Sequence, residues 1–198
     1  EGMIAGIIGA GKMGRKKAEA CKELGIPVKY MDALGDVRVI PLSKEFGSEK
    51  KHWREWINDS GIDIVFVCTS HDALAEISVA VLNAGKHLVV EKPAGRSSDE
   101  IQKIISAHND ALKKKFVGVK VSLNHRFHPM IARAKKLADA GVLGRLLYMT
   151  GEYGHGGRTG METEWRCMKS ISGGGELLDQ GSHMIDFYQW FFGVPKII

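Results

Sequence analysis

The chain has 198 residues, of which 44% are hydrophobic and 26% are charged, and its formal net charge is +5. This is the composition of an ordinary globular protein, and no apolar run approaches the roughly 18 residues that a membrane-spanning helix needs. The basic residues are scattered along the chain, so the positive charge does not indicate a nucleic-acid-binding module. We therefore expect neither a nucleic acid nor a membrane among its partners.

The three cysteines, Cys21, Cys68 and Cys167, are far apart, and no two of them have the CxxC spacing of a thiolate metal site. Their odd number also argues against a disulfide framework. A reducing compartment fits this pattern best, so we expect a cytoplasmic protein. We expect no metal site, because no carboxylate or third histidine stands at a fixed ligand spacing from His125 and His128.

The first predicted elements are a strand, a tight turn and a helix within Ile4–Leu24. An apolar run ends at Gly9, Gly11 and Gly14, and a run rich in lysine and alanine follows. In this fingerprint Gly9 permits the turn, Gly11 lets the backbone approach a pyrophosphate, and Gly14 lets helix and strand pack closely. The N–H groups that begin the helix would then hold the phosphates. The sequence therefore predicts a dinucleotide site that contains Gly9, Ala10, Gly11, Lys12, Met13 and Gly14.

Asp32 follows a second apolar run, Val28–Met31, which we predict to be the second strand. An acid at this position accepts a hydrogen bond from the ribose 2′-OH of NAD. The next residue, Ala33, offers no cation for the 2′-phosphate of NADP. NAD is therefore the favoured cofactor, with NADP as the alternative.

The middle of the chain alternates between strand and helix patterns. Val37–Leu42 is a candidate short strand, and Glu49–Asn58 has the apolar spacing of a helix. The near-continuous apolar run Ile62–Cys68 is typical of a central parallel strand that is buried on both faces. Helices are predicted over about 73–83 and 97–114, and strands over 86–91 and 116–123. This alternation predicts an α/β fold, a doubly wound parallel sheet, over residues 1–123.

The pattern changes after residue 123, where we place the boundary of a second domain, 124–198. Its predicted elements are a polar turn at His125–Pro129, a helix over Met130–Ala140, a strand over Arg145–Tyr153 and a helix from Glu176 to Phe192. A single strand cannot cover its own edges, so we expect further chain or a partner subunit to cover them.

Candidate catalytic residues occur at two places in the sequence: in the last predicted helix, and directly after the strand that ends near residue 90. Asp179 and His183 stand at i and i+4, so a helix places their side chains on one face. A carboxylate there makes the imidazole more basic and fixes its tautomer; the alternative is a solvated polar face. Lys92, in Glu91-Lys92-Pro93, follows a strand at the sheet edge where ligands bind, and a partly desolvated lysine can exchange protons there. The alternative is an ordinary loop lysine.

Together these residues resemble the Gfo/Idh/MocA family, named for glucose–fructose oxidoreductase, inositol dehydrogenase and rhizopine catabolism. The Glu-Lys-Pro and Asp-x-Gly-x-His motifs are more specific to this family than the glycine fingerprint is. The matching stretches keep their order and spacing over nearly the whole chain, and they lie at 9–14, 62–65, 84–93, 124–129 and 173–186.

The resemblance implies an N-terminal Rossmann domain and a C-terminal α/β domain with an open, largely antiparallel sheet, through which such proteins form homodimers or homotetramers. It implies a sugar or cyclitol substrate, with Lys92, Asp179 and His183 as the catalytic trio, and it matches Arg126 to a substrate-side arginine. The remaining residues that we expect at the cofactor are Thr69, Ser70, His71 and Glu91. Those that we expect at the substrate are Asn124, His155, Trp165 and Arg166.

The sequence thus predicts an NAD(P)-dependent dehydrogenase that acts on a secondary hydroxyl of a sugar, sugar derivative or cyclitol. Two alternatives stay open at this point. One is a glycosidase that uses the same site for a transient oxidation, and the other is a nucleotide-binding sensor or scaffold without catalysis.

Overall fold

A parallel sheet of six strands occupies the first part of the chain, and its order is β3-β2-β1-β4-β5-β6. This is the strand order of a doubly wound Rossmann sheet, so that prediction is confirmed. The computed structural model describes residues 2–32, 39–154 and 156–194. The strands are β1 (Ala5–Ile8), β2 (Val28–Asp32), β3 (Glu49–Lys50), β4 (Ile64–Val67), β5 (His87–Val90) and β6 (Val119–Val121).

Five helices accompany these strands among the residues described up to Ser122. The first of them buries Gly14, Ala18 and Cys21. The last begins at an N-cap, where the Ser97 hydroxyl accepts a hydrogen bond from the backbone N–H of Glu100 at 3.3 Å. The helices are α1 (Lys12–Glu23), α2 (Val39–Glu45), α3 (Trp53–Trp56), α4 (His71–Asn83) and α5 (Ser98–Leu112).

The core lies on both faces of the central strands. Ile8, Val65 and Val67 belong to one apolar cluster, whereas Ile7 belongs to another, against which Phe66 packs. Successive residues of a strand point to opposite faces, so the two clusters lie on opposite sides of the sheet. The prediction that the apolar run around β4 packs on both faces holds in part, since Val65 and Val67 are buried whereas Ile64 and Phe66 are half-buried.

Two predicted elements of this unit are wrong. The described part of Val37–Leu42 begins helix α2, which buries Val39, Leu42 and Ser43 at helical spacing. The segment Glu49–Asn58 is not one helix, because β3 at its start pairs with β2 and only the short α3 follows. In both places long-range pairing and burial outweigh the local pattern.

The second unit of the chain, Leu123–Ile198, is helical in the residues that are described. Its helices are α6 (Pro129–Asp139), α7 (Lys169–Ser172), α8 (Gly175–Asp179) and α9 (Gly181–Phe192), with 3₁₀ turns at Asn124–Phe127, Met161–Thr163 and Trp165–Cys167. The strand predicted at Arg145–Tyr153 is not formed. A strand needs a ladder partner, and no described segment of this unit supplies one. The antiparallel sheet that the resemblance implies is therefore not confirmed.

The helix predicted from Glu176 to Phe192 is broken. Helix α8 ends at Asp179 and α9 begins at Gly181, with Gln180 between them. Glycine is a poor helix former, and a Cβ on Gly181 would lie only 2.9 Å from Cδ1 of Leu177. The i and i+4 argument, which assumed one continuous helix, does not describe how Asp179 and His183 are placed.

Candidate active site

The glycine fingerprint lies between β1 and α1. Gly9 has a φ of +102°, a conformation that glycine adopts readily, and a Cβ there would lie 2.5 Å from the Cys68 carbonyl. A Cβ on Gly14 would overlap the carbonyl oxygen of Gly9, whereas one on Gly11 would meet no atom within 4 Å. Gly9 and Gly14 thus lie against backbone, whereas Gly11 is open on the side that a Cβ would occupy; its role at a pyrophosphate stays a prediction.

Helix α1 begins directly at this open side. Its N-cap residue is Gly11, so no side chain caps the first turn. The N–H groups and the positive end of the helix dipole suit an anion such as a phosphate. Among the neighbouring residues predicted for the cofactor, Ala10 is buried, Met13 is half-buried and Lys12 is exposed. The residues present therefore fit a dinucleotide.

Asp32, at the end of β2, is buried, with 6% of its surface exposed. Its Oδ2 accepts a hydrogen bond from the backbone N–H of Trp53 at 2.8 Å. This bond orients the carboxylate at the carboxyl edge of the sheet, where nucleotides bind in such folds. Its acceptance of a ribose hydroxyl stays a prediction, and Ala33, on which the preference for NAD also depended, lies outside the described residues.

The residues predicted after β4 have local hydrogen bonds. Ser70 stands at the N-cap of α4, but its hydroxyl donates to Oδ1 of Asp72 at 2.6 Å and does not cap the helix. The Thr69 hydroxyl donates to the Ser70 carbonyl oxygen at 3.2 Å. His71 is buried in the first turn of α4. Their roles toward a cofactor stay predictions.

Lys92 follows β5 directly and is half-buried. The residue before it, Glu91, is buried, and its Oε1 lies 3.2 Å from Nζ of Lys17. Lys17 also donates to the hydroxyl of Ser122 at 3.0 Å. Glu91 follows β5, Ser122 follows β6, and Lys17 lies on α1. The Lys17 ammonium group therefore links the ends of these two strands to the helix that follows the glycine fingerprint. Sequence reasoning missed Lys17, which looks like the other lysines of that helix.

One acidic and one basic side chain, both buried, flank the break between α8 and α9. Asp179 and His183 are only 7% and 2% exposed, so the alternative of a solvated polar face is wrong. Oδ2 of Asp179 lies 3.4 Å from Nε of Arg166. The Ser182 hydroxyl donates to the Asp179 carbonyl oxygen at 3.2 Å, which holds the two helices together at the break.

The ring of His183 stacks on the ring of His125. The ring centroids are 3.7 Å apart and the planes are inclined by 10°. Tyr153 also stacks on His125, at 5.6 Å. Sequence reasoning considered His125 only as a metal ligand, and no spacing rule links it to His183. The described residues include no cluster of three or more histidine, cysteine or acidic side chains that could hold a metal ion.

Arg126 is fastened to α9 by Asp186. The Arg126 guanidinium donates from Nε to Oδ2 of Asp186 at 2.7 Å and from Nη2 to Oδ1, and these bonds raise the pKa of Arg126 above its ordinary value. The guanidinium carbon also lies 5.1 Å from the centre of the Trp190 ring. Contact between Arg126 and substrate stays a prediction. What the structure shows is a fixed link between the turn at 124–127 and the helix that carries His183.

A cavity of about 650 Å³ lies within the second unit. This volume is in the range of small-molecule sites. Arg166 lies in its wall, and its guanidinium carbon is 4.5 Å from the centre of the Trp165 ring. Asn124 is exposed, and His155 lies outside the described residues. The wall includes Met161, Arg166, Cys167, Lys169, Glu176 and Asp179.

Two family models match the chain. The model described as an oxidoreductase family with an NAD-binding Rossmann fold matches residues 3–119. The model described as the GFO/IDH/MocA C-terminal domain matches residues 131–198. Among the helices that are described, none has both the length and the apolar character that a membrane span requires.

Curated relatives and solved structures agree with these matches. Levoglucosan dehydrogenase of Pseudarthrobacter phenanthrenivorans is 32% identical over 98% of this chain and 52% of its own length. Myo-inositol 2-dehydrogenase of Thermotoga maritima is 30% identical over 72% of this chain and 42% of its own. A solved structure of levoglucosan dehydrogenase in complex with NADH and levoglucosan has a TM-score of 0.81 at 29% identity, covering 98% and 55% of the two chains. The chain thus spans about half the length of these relatives.

Proposed function

This chain belongs to the Gfo/Idh/MocA family of NAD-binding oxidoreductases, and on that premise we propose that it oxidises a secondary hydroxyl of a sugar or cyclitol with NAD as the acceptor. The two compact units then act as a cofactor domain and a substrate domain. One observation carries the proposal: a glycine cradle open at Gly11 and a buried Asp179 and His183 occur in the same chain.

The residues of the first unit hold the cofactor in this proposal. The backbone beside Gly11 and the first turn of α1 bind the pyrophosphate, and Asp32 accepts the ribose 2′-OH. NAD, when bound, accepts the hydride from the substrate carbon. The negative charge of Asp32 opposes a 2′-phosphate, which favours NAD over NADP.

The proton is handled by side chains of the chain itself. His183 removes the proton of the substrate hydroxyl as general base. Asp179, whose carboxylate Arg166 helps to fix at 3.4 Å, supports the charged form of the imidazole. Lys92 donates a hydrogen bond to the same substrate oxygen and stabilises the negative charge that develops there.

The names of the relatives and the cavity support the proposed substrate class. The relatives are named for levoglucosan and myo-inositol, so we propose a polyhydroxylated ring compound of that kind. The cavity beside Asp179, at about 650 Å³, offers enough room for one. The predicted homo-oligomer and the cytoplasmic location remain part of the same proposal.

A His183→Ala variant tests the proposal. We expect it to bind NAD with unchanged affinity and to lose turnover by about 10²-fold or more, as general-base variants do. The measurements are NAD titration calorimetry and NADH absorbance across a panel of sugars and inositols. His128→Ala, which removes an exposed histidine of the same unit, is the matched control and keeps its turnover.

Full turnover by His183→Ala would refute the assigned role. Two results with the wild-type protein would favour another function. Release of a free sugar without net NADH would indicate a glycosidase. Tight NAD binding without oxidation of any compound in the panel would indicate a sensor.

A further inference from the structure

The buried imidazole of His183 has a stacking partner to which the proposed reaction gives no role. We propose that His125 is a positioning residue for His183: its ring sets the plane in which the base meets the substrate hydroxyl. The inference rests on the proposed function, since it takes His183 to be the base.

The ring plane of a histidine needs such a partner. The χ2 torsion of histidine is broad and has no narrow staggered wells, so the neighbours of the ring decide its orientation. His125 lies against His183 at 3.7 Å with planes inclined by 10°, which is face-to-face contact over the ring. Rotation of His183 about χ2 would drive its edge into His125. The stack therefore restricts the direction in which the ring nitrogens point.

His125 is itself held in place by its neighbours in the chain. The next residue, Arg126, is fastened to Asp186 of α9 by two hydrogen bonds, and α9 also carries His183. The His128 backbone N–H donates to the His125 carbonyl oxygen at 3.0 Å. Tyr153 adds a second ring contact to His125. The Arg126–Asp186 ion pair and the His125–His183 ring stack thus both join the turn at 124–127 to α9. His125 is therefore a fixed surface against which His183 lies.

Two like charges about 4 Å apart repel strongly in a partly buried site, which disfavours a positive charge on both stacked rings at once. The other charged or titratable groups on the surrounding elements include Asp179, Arg166, Asp186, Arg126 and Tyr153. In these, each carboxylate already faces an arginine. The positioning role therefore needs no charge on His125 when His183 takes the substrate proton. His125 acts as a flat ring, which a phenylalanine can replace.

A matched pair of variants in the full chain with NAD tests this. His125→Leu fills a similar space without a flat face, whereas His125→Phe keeps the flat face and loses the ring nitrogens. We expect His125→Leu to lower kcat at least tenfold while KM for NAD changes less than twofold, and His125→Phe to keep kcat within threefold of wild type. A merely structural role would lower kcat in both variants together with their melting temperatures. Equal impairment of the two, or wild-type kcat in His125→Leu, overturns the proposal.

A second readout does not depend on activity. In isotope-labelled protein without substrate, the ring current of a stacked aromatic shifts the ring protons of His183 upfield. We expect this upfield shift to persist in His125→Phe and to disappear in His125→Leu. If the upfield shift disappears in His125→Leu while its kcat equals that of the wild type, the positioning role fails and the proposed function stands. If His183→Ala keeps full turnover, the proposed function fails instead, whatever the variants at His125 do.

Discussion

The two units of the chain bury different kinds of residues. In Glu1–Ser122 the buried set is mainly apolar and includes large side chains such as Trp56, Ile7 and Leu74. Among the described residues of Leu123–Ile198, Phe187 is the one buried hydrophobic side chain. The buried polar residues of that unit are Ser172, Asp179, His183 and Asp186. The first unit therefore has an extensive apolar core, whereas the described part of the second unit buries more polar side chains than apolar ones.

Substitutions at two glycines of the first unit have the largest expected effects. Gly14→Ala places a Cβ against the Gly9 carbonyl oxygen, and backbone cannot move aside easily, so we expect little folded protein. Gly11→Ala meets no protein atom within 4 Å, so we expect its melting temperature to stay within about 2 °C of wild type and its NAD affinity to fall tenfold or more. Thermal melts and calorimetry separate the two. If Gly11→Ala binds NAD with wild-type affinity, the proposal that the pyrophosphate lies against the Gly11 backbone is wrong.

One core residue and one polar residue test the comparison between the units directly. Trp56→Ala removes a side chain that is 1% exposed, and we expect it to lower the free energy of unfolding by about 3–5 kcal/mol. Asp179→Asn keeps the shape of a buried side chain, so we expect a loss of about 1 kcal/mol with a fall in kcat of about 10²-fold. Urea unfolding and NADH formation measure both. If Asp179→Asn unfolds as readily as Trp56→Ala, the contrast between the units is wrong.

The Lys17–Glu91 pair gives a smaller effect. Lys17→Met leaves the carboxylate of Glu91, whose side chain is 11% exposed, without its cation, and we expect a loss of about 1–3 kcal/mol. Glu91→Gln in the same protein removes the stranded charge and should restore most of the loss. A double-mutant cycle by urea unfolding gives the coupling. Additive losses would show that the pair does not interact.

The smallest effect is the pH dependence that comes from Asp59. Hydrogen bonds from Lys29, from the Gly61 backbone N–H and from the Tyr30 hydroxyl lower its pKa to about 2, from an ordinary 3.8. Because the folded pKa is the lower one, the contribution to stability is present above pH 3.8 and is lost as the pH falls toward 2. In the Asp59→Asn variant, the urea concentration at the unfolding midpoint should change less with pH between about pH 5 and pH 2.5 than it does in the wild type. The same slope in variant and wild type would exclude this origin.

The sequence predicts most of the first unit because its signals are local. The period of the apolar residues predicts the parallel sheet, which the fold confirms, and Gly9 and Gly14 lie where a Cβ would meet backbone. The role of Gly11 at a pyrophosphate stays a prediction. The predictions fail where a distant partner decides. The pairing of β2 with β3 divides the helix predicted at Glu49–Asn58.

In the second unit, the site could be predicted only in part. The motif that contains Asp179 and His183 identifies two residues that are indeed buried, but not the break at Gln180 that separates their helices. Nor does any local pattern reveal that His125 stacks on His183 or that Lys17 faces Glu91. These contacts join residues that are far apart in sequence, so they appear only when the chain is folded.

The proposed function assigns Lys92 and His183 to one substrate oxygen in a single step. A double-mutant cycle on turnover, with Lys92→Ala, His183→Ala and the double variant, tests this most directly. Because groups that act together have strongly non-additive effects, the account predicts a double variant scarcely slower than the slower single variant. A double variant whose loss equals the product of the two single losses would contradict it.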